Sequence, residues 1–116
     1  MKQVIGHQGE IRIVKIDALP ADMQAEATDK GQKGFIISHS ENGNHHLLVG
    51  DNVAVIERQD VPSGMQILYG IVSGDAELVQ DAATPHDGFS LPEGFYEFRI
   101  SREYDPFAQQ ARRVAD

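Results

Sequence analysis

One stretch of the chain decides the predicted fold: Phe35-Ile36-Ile37-Ser38-His39-Ser40-Glu41-Asn42-Gly43-Asn44-His45-His46-Leu47-Leu48-Val49-Gly50. An Asn-Gly pair between two apolar runs predicts a hairpin, because a type I′ turn needs positive φ at both central residues. In that turn His39 lies opposite His46, and directly opposed residues share one face of the sheet, with their Cβ atoms roughly 4.5–5.5 Å apart. His45 projects from the other face, because side chains alternate along a strand.

The histidines of this hairpin predict a metal site. Two neutral imidazoles on one sheet face can chelate a divalent cation, either zinc or another first-row metal. The predicted ligands are His39, His45 and His46 in the hairpin, Glu41 beside the turn, and His86 from a downstream loop. The competing interpretation is that these are solvated polar residues near a hairpin tip. A register change of one residue would move His39 and His46 onto different faces.

The length and amino-acid composition of the chain exclude several classes of protein and partner. With 116 residues the chain is predicted to form one domain, residues 1–116, and its lack of cysteine excludes disulfides, thiolate metal sites and cysteine nucleophiles. A formal net charge of −8 disfavours nucleic acid as a partner, since binding to phosphates requires clustered Lys and Arg. No apolar run approaches the ~18–20 residues of a membrane span, and the N-terminus lacks the apolar core of a signal peptide. We therefore expect a soluble cytoplasmic protein.

Short apolar segments separated by Gly, Pro, Asn and Asp predict an all-β fold, a small barrel or sandwich of about seven strands. The segment 10–17 changes its apolar phase at Val14, which indicates either a bulge or a strand covered on both sides. Residues 95–102 alternate regularly, with Tyr96, Phe98 and Ile100 predicted to face inward. The segment 65–72 has apolar residues on both faces and is predicted to be a central strand.

Helical structure is expected at two places. Residues 18–27 contain good helix formers after Pro20, enough for one or two turns. The stronger prediction is a short C-terminal helix, in which Asp105 caps the N-terminus and Pro106 takes the first helical position.

Two stretches considered together resemble a family of small uncharacterised bacterial and prophage-encoded proteins. The first runs from Ser40 to His46, and the second runs from His86 through Leu91-Pro92-Glu93-Gly94-Phe95-Tyr96 to Arg102-Glu103-Tyr104. The family pattern has a Glu-x-Gly-His-x-His-like loop, then His-x-x-His, Leu-Pro-x-Gly-x-Tyr and Arg-Glu-Tyr. The resemblance implies no activity. Asn44 and Ala83 stand where the pattern has histidines, which shifts any metal role onto His39, His45 and His46.

No catalytic residue is predicted, and whether the protein is an enzyme stays open. The chain lacks a Gly-x-Ser-x-Gly elbow, and its Gly-rich segments match neither the Walker nor the dinucleotide-binding pattern. The alternative to a metal-binding protein is an interaction or assembly module, possible for a prophage-associated protein. In that interpretation Phe89 and Phe95 face outward as an apolar patch, and the partner is a second copy of the chain in a homo-oligomer. The sequence identifies no small-molecule ligand.

Overall fold

The computed structural model describes residues 2–38, 45–80 and 88–101, and this part of the chain is all-β. Ten strands form in these residues: β1 Gln3–Gln8, β2 Ile11–Ile16, β3 Ala25–Ala27, β4 Phe35–Ser38, β5 His46–Gly50, β6 Val53–Arg58, β7 Met65–Val72, β8 Ala76–Gln80, β9 Phe89–Leu91 and β10 Gly94–Ser101. The prediction of an all-β fold is therefore confirmed, although the number of strands exceeds the expected seven.

The strands form two antiparallel sheets that do not close into a barrel. The larger sheet has six strands in the order β1-β2-β10-β7-β6-β3, and the smaller has four in the order β4-β5-β8-β9. The sequence predicted either a barrel or a sandwich, and the structure has two separate sheets rather than a barrel. The segment 65–72 is central as predicted, since β7 pairs with both β10 and β6.

The main core lies between the two sheets. Tyr96, Phe98 and Ile100 of β10 point into it, as their alternation predicts, and all three are buried. Gly70 of β7 allows close packing there: a Cβ atom at this position would lie 2.9 Å from Cε2 of Phe98 and 3.1 Å from Cδ2 of Leu48. A side chain at position 70 would therefore force these core residues apart.

A second apolar cluster covers the other face of the large sheet. Its buried members are Val14, Ile16, Ile67 and Tyr69, and partly buried hydrophobic residues from the segments 19–23 and 61–65 pack against it. The phase change at Val14 is explained by this cluster, because β2 has apolar neighbours on both faces. The register between β2 and β10 is continuous, so β2 itself contains no bulge along β10. The bulge is in β1, between Val4 and Gly6.

The predicted register of the central hairpin is wrong. His46 pairs with Ser38, and the β4–β5 ladder contains an irregularity between Ile36 and Ser38. The partner of His46 is therefore Ser38 and not the predicted His39, and the predicted Asn42-Gly43 turn lies outside the described residues. Ile37 and Ser38, which lie at this irregularity, are both buried.

Three other expectations are corrected or fall outside the described residues. No helix forms within residues 18–27, and Ala25–Ala27 is instead a strand that pairs with β6. Phe89 and Phe95 do not share a patch, because Phe89 packs against the main core and Phe95 against the second cluster. The predicted helix at Asp105 lies outside the described residues.

An ion pair between Arg58 and Asp60 connects the segments that cover the second cluster. Arg58 donates from Nε to Oδ1 of Asp60 at 3.1 Å and from Nη2 to Oδ2 at 3.2 Å, and the backbone N–H of Gln24 also donates to Oδ1. The Arg58 hydrogen bonds are the main reason that the pKa of Asp60 is lowered from its ordinary value of 3.8, and the Gln24 N–H adds to the effect. Arg58 also donates to the hydroxyl of Tyr69 in that cluster.

The lowered pKa of Asp60 predicts a pH-dependent contribution to stability. A depressed carboxyl pKa stabilises the fold above the unfolded-state value and loses this effect as the pH falls through the folded-state value. Asp60→Asn should therefore lower the urea midpoint at neutral pH and leave it unchanged in acid, where Asp60 is itself protonated. Urea unfolding at both pH values tests this, with the exposed Asp51→Asn as the control. An equal loss at both pH values would contradict the prediction.

Candidate functional site

The candidate site begins at the turn between β1 and β2. Gly9 and Glu10 form a two-residue hairpin loop, since Gln8 pairs directly with Ile11. Gly9 has a φ of +59°, and glycine in the first loop position with positive φ is the pattern of a type II′ turn. This turn ends β1 with the Gln8 side chain directed toward the four-stranded sheet, and Gln8 is only 5% exposed.

A chain of buried hydrogen bonds connects Gln8 to the small sheet. Gln8 Nε2 donates to the Leu78 carbonyl oxygen at 3.0 Å, and Gln8 Oε1 lies 2.7 Å from His46 Nδ1. A carbonyl oxygen can only accept, so the amide nitrogen of Gln8 must face Leu78 and its oxygen must face the imidazole. His46 Nδ1 is therefore the donor to Gln8, and the neutral ring has its lone pair on Nε2.

The same turn makes two further contacts with the small sheet. A Cβ atom at Gly9 would lie 3.0 Å from His46 Nε2, so the glycine lets the turn pack closely against this edge of the imidazole. Ser38 Oγ donates to Glu10 Oε1 at 2.8 Å. His46 and Ser38 are neighbours on paired strands, and both are buried. The turn thus holds a carboxylate and an oriented imidazole on the same small region of the sandwich.

Several strand ends meet in this region. Ser38 ends β4, His46 begins β5, and Gln80 ends β8; His46 pairs with both of the others. We call this end of the four-stranded sheet, made by Ser38, His46 and Gln80, the histidine end. The segments 39–44 and 81–87 each start from it, although those residues lie outside the described part of the chain.

The structure describes two of the five predicted metal ligands. His46 is 8% exposed and faces the interior of the sandwich, whereas His45 is half-buried and directly precedes β5. His39, Glu41 and His86 lie outside the described residues. Among the described residues, no three His, Cys, Asp or Glu side chains come together as a group that could hold a metal ion. The five-residue site stays a prediction.

The residue that orients His46, Gln8, was not found from the sequence. Gln8 precedes a glycine between two predicted strands, and this position suggests an exposed turn residue. Only the contact with the second sheet, far away in sequence, buries Gln8. The exposed His7 neighbours Gln8 in sequence, but it points to the opposite face of β1 and takes no part in the network.

Comparison with known proteins identifies the family. A model for a domain of unknown function, DUF8820, matches residues 7–101, and the chain belongs to this family. The match agrees with the resemblance to uncharacterised proteins; the loop and C-terminal motifs quoted for that resemblance stay predictions. No curated protein and no solved structure shows a significant match to the chain.

The described residues contain no helix with the length and apolar character needed to cross a membrane.

The hydrogen bond between Gln8 and His46 predicts a coupled effect on stability. Gln8→Leu removes the acceptor and leaves a buried N–H without its partner, which should cost about 1–3 kcal/mol. Adding His46→Phe removes the donor as well, so the double variant should lose less than the sum of the two single losses. Urea unfolding in the presence of a chelator measures this cycle, with Gln3→Leu on the exposed part of β1 as the control. Strictly additive losses would contradict the assignment.

Proposed function

We propose that this member of the DUF8820 family binds a divalent first-row metal, with zinc as the best candidate, through Nε2 of His46. The observation that carries the proposal is the 2.7 Å hydrogen bond between His46 Nδ1 and Gln8 Oε1. Histidine ligands commonly donate their second ring N–H to a carbonyl or carboxylate, which fixes the tautomer and presents the other nitrogen to the metal. Gln8 is placed to do this for His46.

The other ligands that we propose are near His46 in the chain or belong to the segments that follow β4 and β8. His45 adjoins His46, and the chain carries His39, Glu41 and His86 in segments that start from the histidine end. Imidazole nitrogens with a carboxylate or water are a suitable donor set for zinc or a related metal. The supporting argument is topological, because these segments leave the ends of β4 and β8, which both pair with the start of β5.

The proposed role is metal binding, and no catalytic residue is assigned. Gln8 belongs to the large sheet and His46 to the small one, so a ligated His46 would connect the bound metal to both sheets. Binding to the folded state alone stabilises that state by mass action. A metal at this position would therefore favour the closed packing of the sandwich as well as occupy a site.

Metal binding is tested on protein purified without a histidine tag. Elemental analysis and zinc titration calorimetry should give stoichiometric zinc for the unaltered chain and a large loss of binding for His46→Gln. Gln8→Leu keeps the imidazole but removes its hydrogen-bond partner, and should weaken zinc binding by about 10–100-fold, the range typical when the residue that orients a histidine ligand is changed.

His7→Ala is the matched control, because it removes a histidine from the opposite face of the neighbouring strand. It should bind zinc as the unaltered chain does. Circular dichroism of each variant distinguishes lost binding from lost folding. Absence of zinc binding in the unaltered chain, or unchanged binding in folded His46→Gln, would refute the proposed ligand.

A second candidate function is self-association, favoured by the exposed edge of the large sheet. Edge strands offer unpaired backbone groups to a second chain. On the edge strand β1, Val4 is 46% exposed and Ile5 is 38% exposed, so two large apolar side chains of this edge are accessible to a partner. Antiparallel pairing of two β1 strands would bring the same patch of both copies together, as a two-fold homodimer requires. This surface replaces the Phe89 and Phe95 patch predicted from the sequence.

Light scattering coupled to size exclusion tests the homodimer. The unaltered chain should have the mass of two copies, and Ile5→Lys should shift it toward one copy, because a buried lysine opposes edge pairing. Val49→Lys is the matched control, since Val49 has the same 38% exposure but lies on the small sheet. A chain that is monomeric at all concentrations would exclude this candidate.

A further inference from the structure

A cavity of about 310 Å³ opens between the two sheets beside β4. Its apolar part is formed by Ile36, Ile37 and Leu68, and both Ile37 and Leu68 are only 1% exposed. Ligand pockets generally begin at roughly 300 Å³, so this cavity suits a small molecule or one side-chain-sized group. The described residues that line it include no histidine, so it is treated as separate from the proposed metal site.

Polar groups of the large sheet line the same cavity. Glu57 of β6 pairs with Leu68 of β7, so both side chains point to the sheet face that meets β4. Gln66 Nε2 lies 3.4 Å from Glu57 Oε2 and can donate to it, but a neutral amide leaves the negative charge in place. Glu57 thus presents a carboxylate at the boundary between the apolar floor and the solvent.

The charge around this carboxylate favours a cation. Glu26 of β3 lies directly opposite Glu57, and like charges in directly opposed positions destabilise a sheet. Asp29 and Lys30 also line the cavity, and their formal charges cancel. Among the described residues no basic side chain forms an ion pair with Glu26 or Glu57, so the opening carries net negative charge.

The geometry points to a binding site for a small organic cation: a protonated amine whose ammonium group contacts Glu57 and whose short branched hydrocarbon body lies on the half-buried Ile36. A metal ion fits less well, because the described carboxylates do not form a group that could hold one. An ammonium group can neutralise the charge of Glu57 and donate to the carboxylate lone pairs that Gln66 leaves unused. This binding function is separate from the proposed metal site and does not depend on it.

The test is a titration of isotope-labelled protein followed by NMR, with three probes of nearly the same shape. 3-Methylbutylamine is the cation, 4-methylpentanoate the anion and 3-methylbutanol the neutral form. The amine should shift the resonances of Ile36, Ile37 and Leu68 with saturation, and the anion should not. Glu57→Gln should weaken amine binding by at least about tenfold, equivalent to about 1.4 kcal/mol.

Glu93→Gln is the matched control, because Glu93 is exposed in the β9–β10 turn and does not line the cavity. It should leave amine binding unchanged. Leu68→Ala is a second variant, which enlarges the apolar part of the cavity without altering its charge. It should change the affinities for the amine and the alcohol together. Equal shifts with the amine and the anion, or unchanged amine binding in Glu57→Gln, would overturn the proposal; so would zinc or magnesium ions shifting the same resonances at lower concentration than the amine.

Discussion

The packing of the two sheets depends on satisfying polar groups that the sandwich buries. Gln8 and His46 are both nearly inaccessible to water, and a buried polar group without a partner costs more than an ordinary hydrogen bond contributes. One glutamine meets this requirement for both sheets, because its oxygen accepts from His46 and its nitrogen donates to Leu78. The relative position of β1, β5 and β8 is thereby restricted to arrangements that preserve both contacts.

His46 can have a structural role and also be a metal ligand, because the two roles use different ring nitrogens. The Gln8 hydrogen bond uses Nδ1 and orients the ring, whereas metal ligation would use Nε2. Gly9 keeps a side chain away from that second nitrogen. Glycine at this position also suits the type II′ turn.

Sequence patterns predicted well what depends on periodicity along one strand. The alternation of Tyr96, Phe98 and Ile100 and the phase change at Val14 are local signals, and the structure explains both through its two apolar clusters. The register of the central hairpin was predicted incorrectly, because the Asn42-Gly43 signal could not reveal the irregularity near Ile37. The burial of Gln8 and the cavity beside Glu57 depend on contacts between separate sheets, which no local pattern encodes.

Burial of both faces has a consequence for the alignment of the central strands. When only one face is apolar, sliding a strand by one residue exposes its hydrophobic side chains and is strongly opposed. β2 and β10 have apolar neighbours on both faces, so this penalty is weaker for them. Glu97 of β10, 3% exposed, forms ion pairs with Arg99 at 3.1 Å and with the Lys2 ammonium at 3.7 Å.

Displacement by one position would carry the Glu97 carboxylate into the hydrocarbon interior, and displacement by two would take it away from Lys2. One buried charged residue, Glu97, therefore restricts the alignment of strands whose apolar side chains alone would permit more than one register.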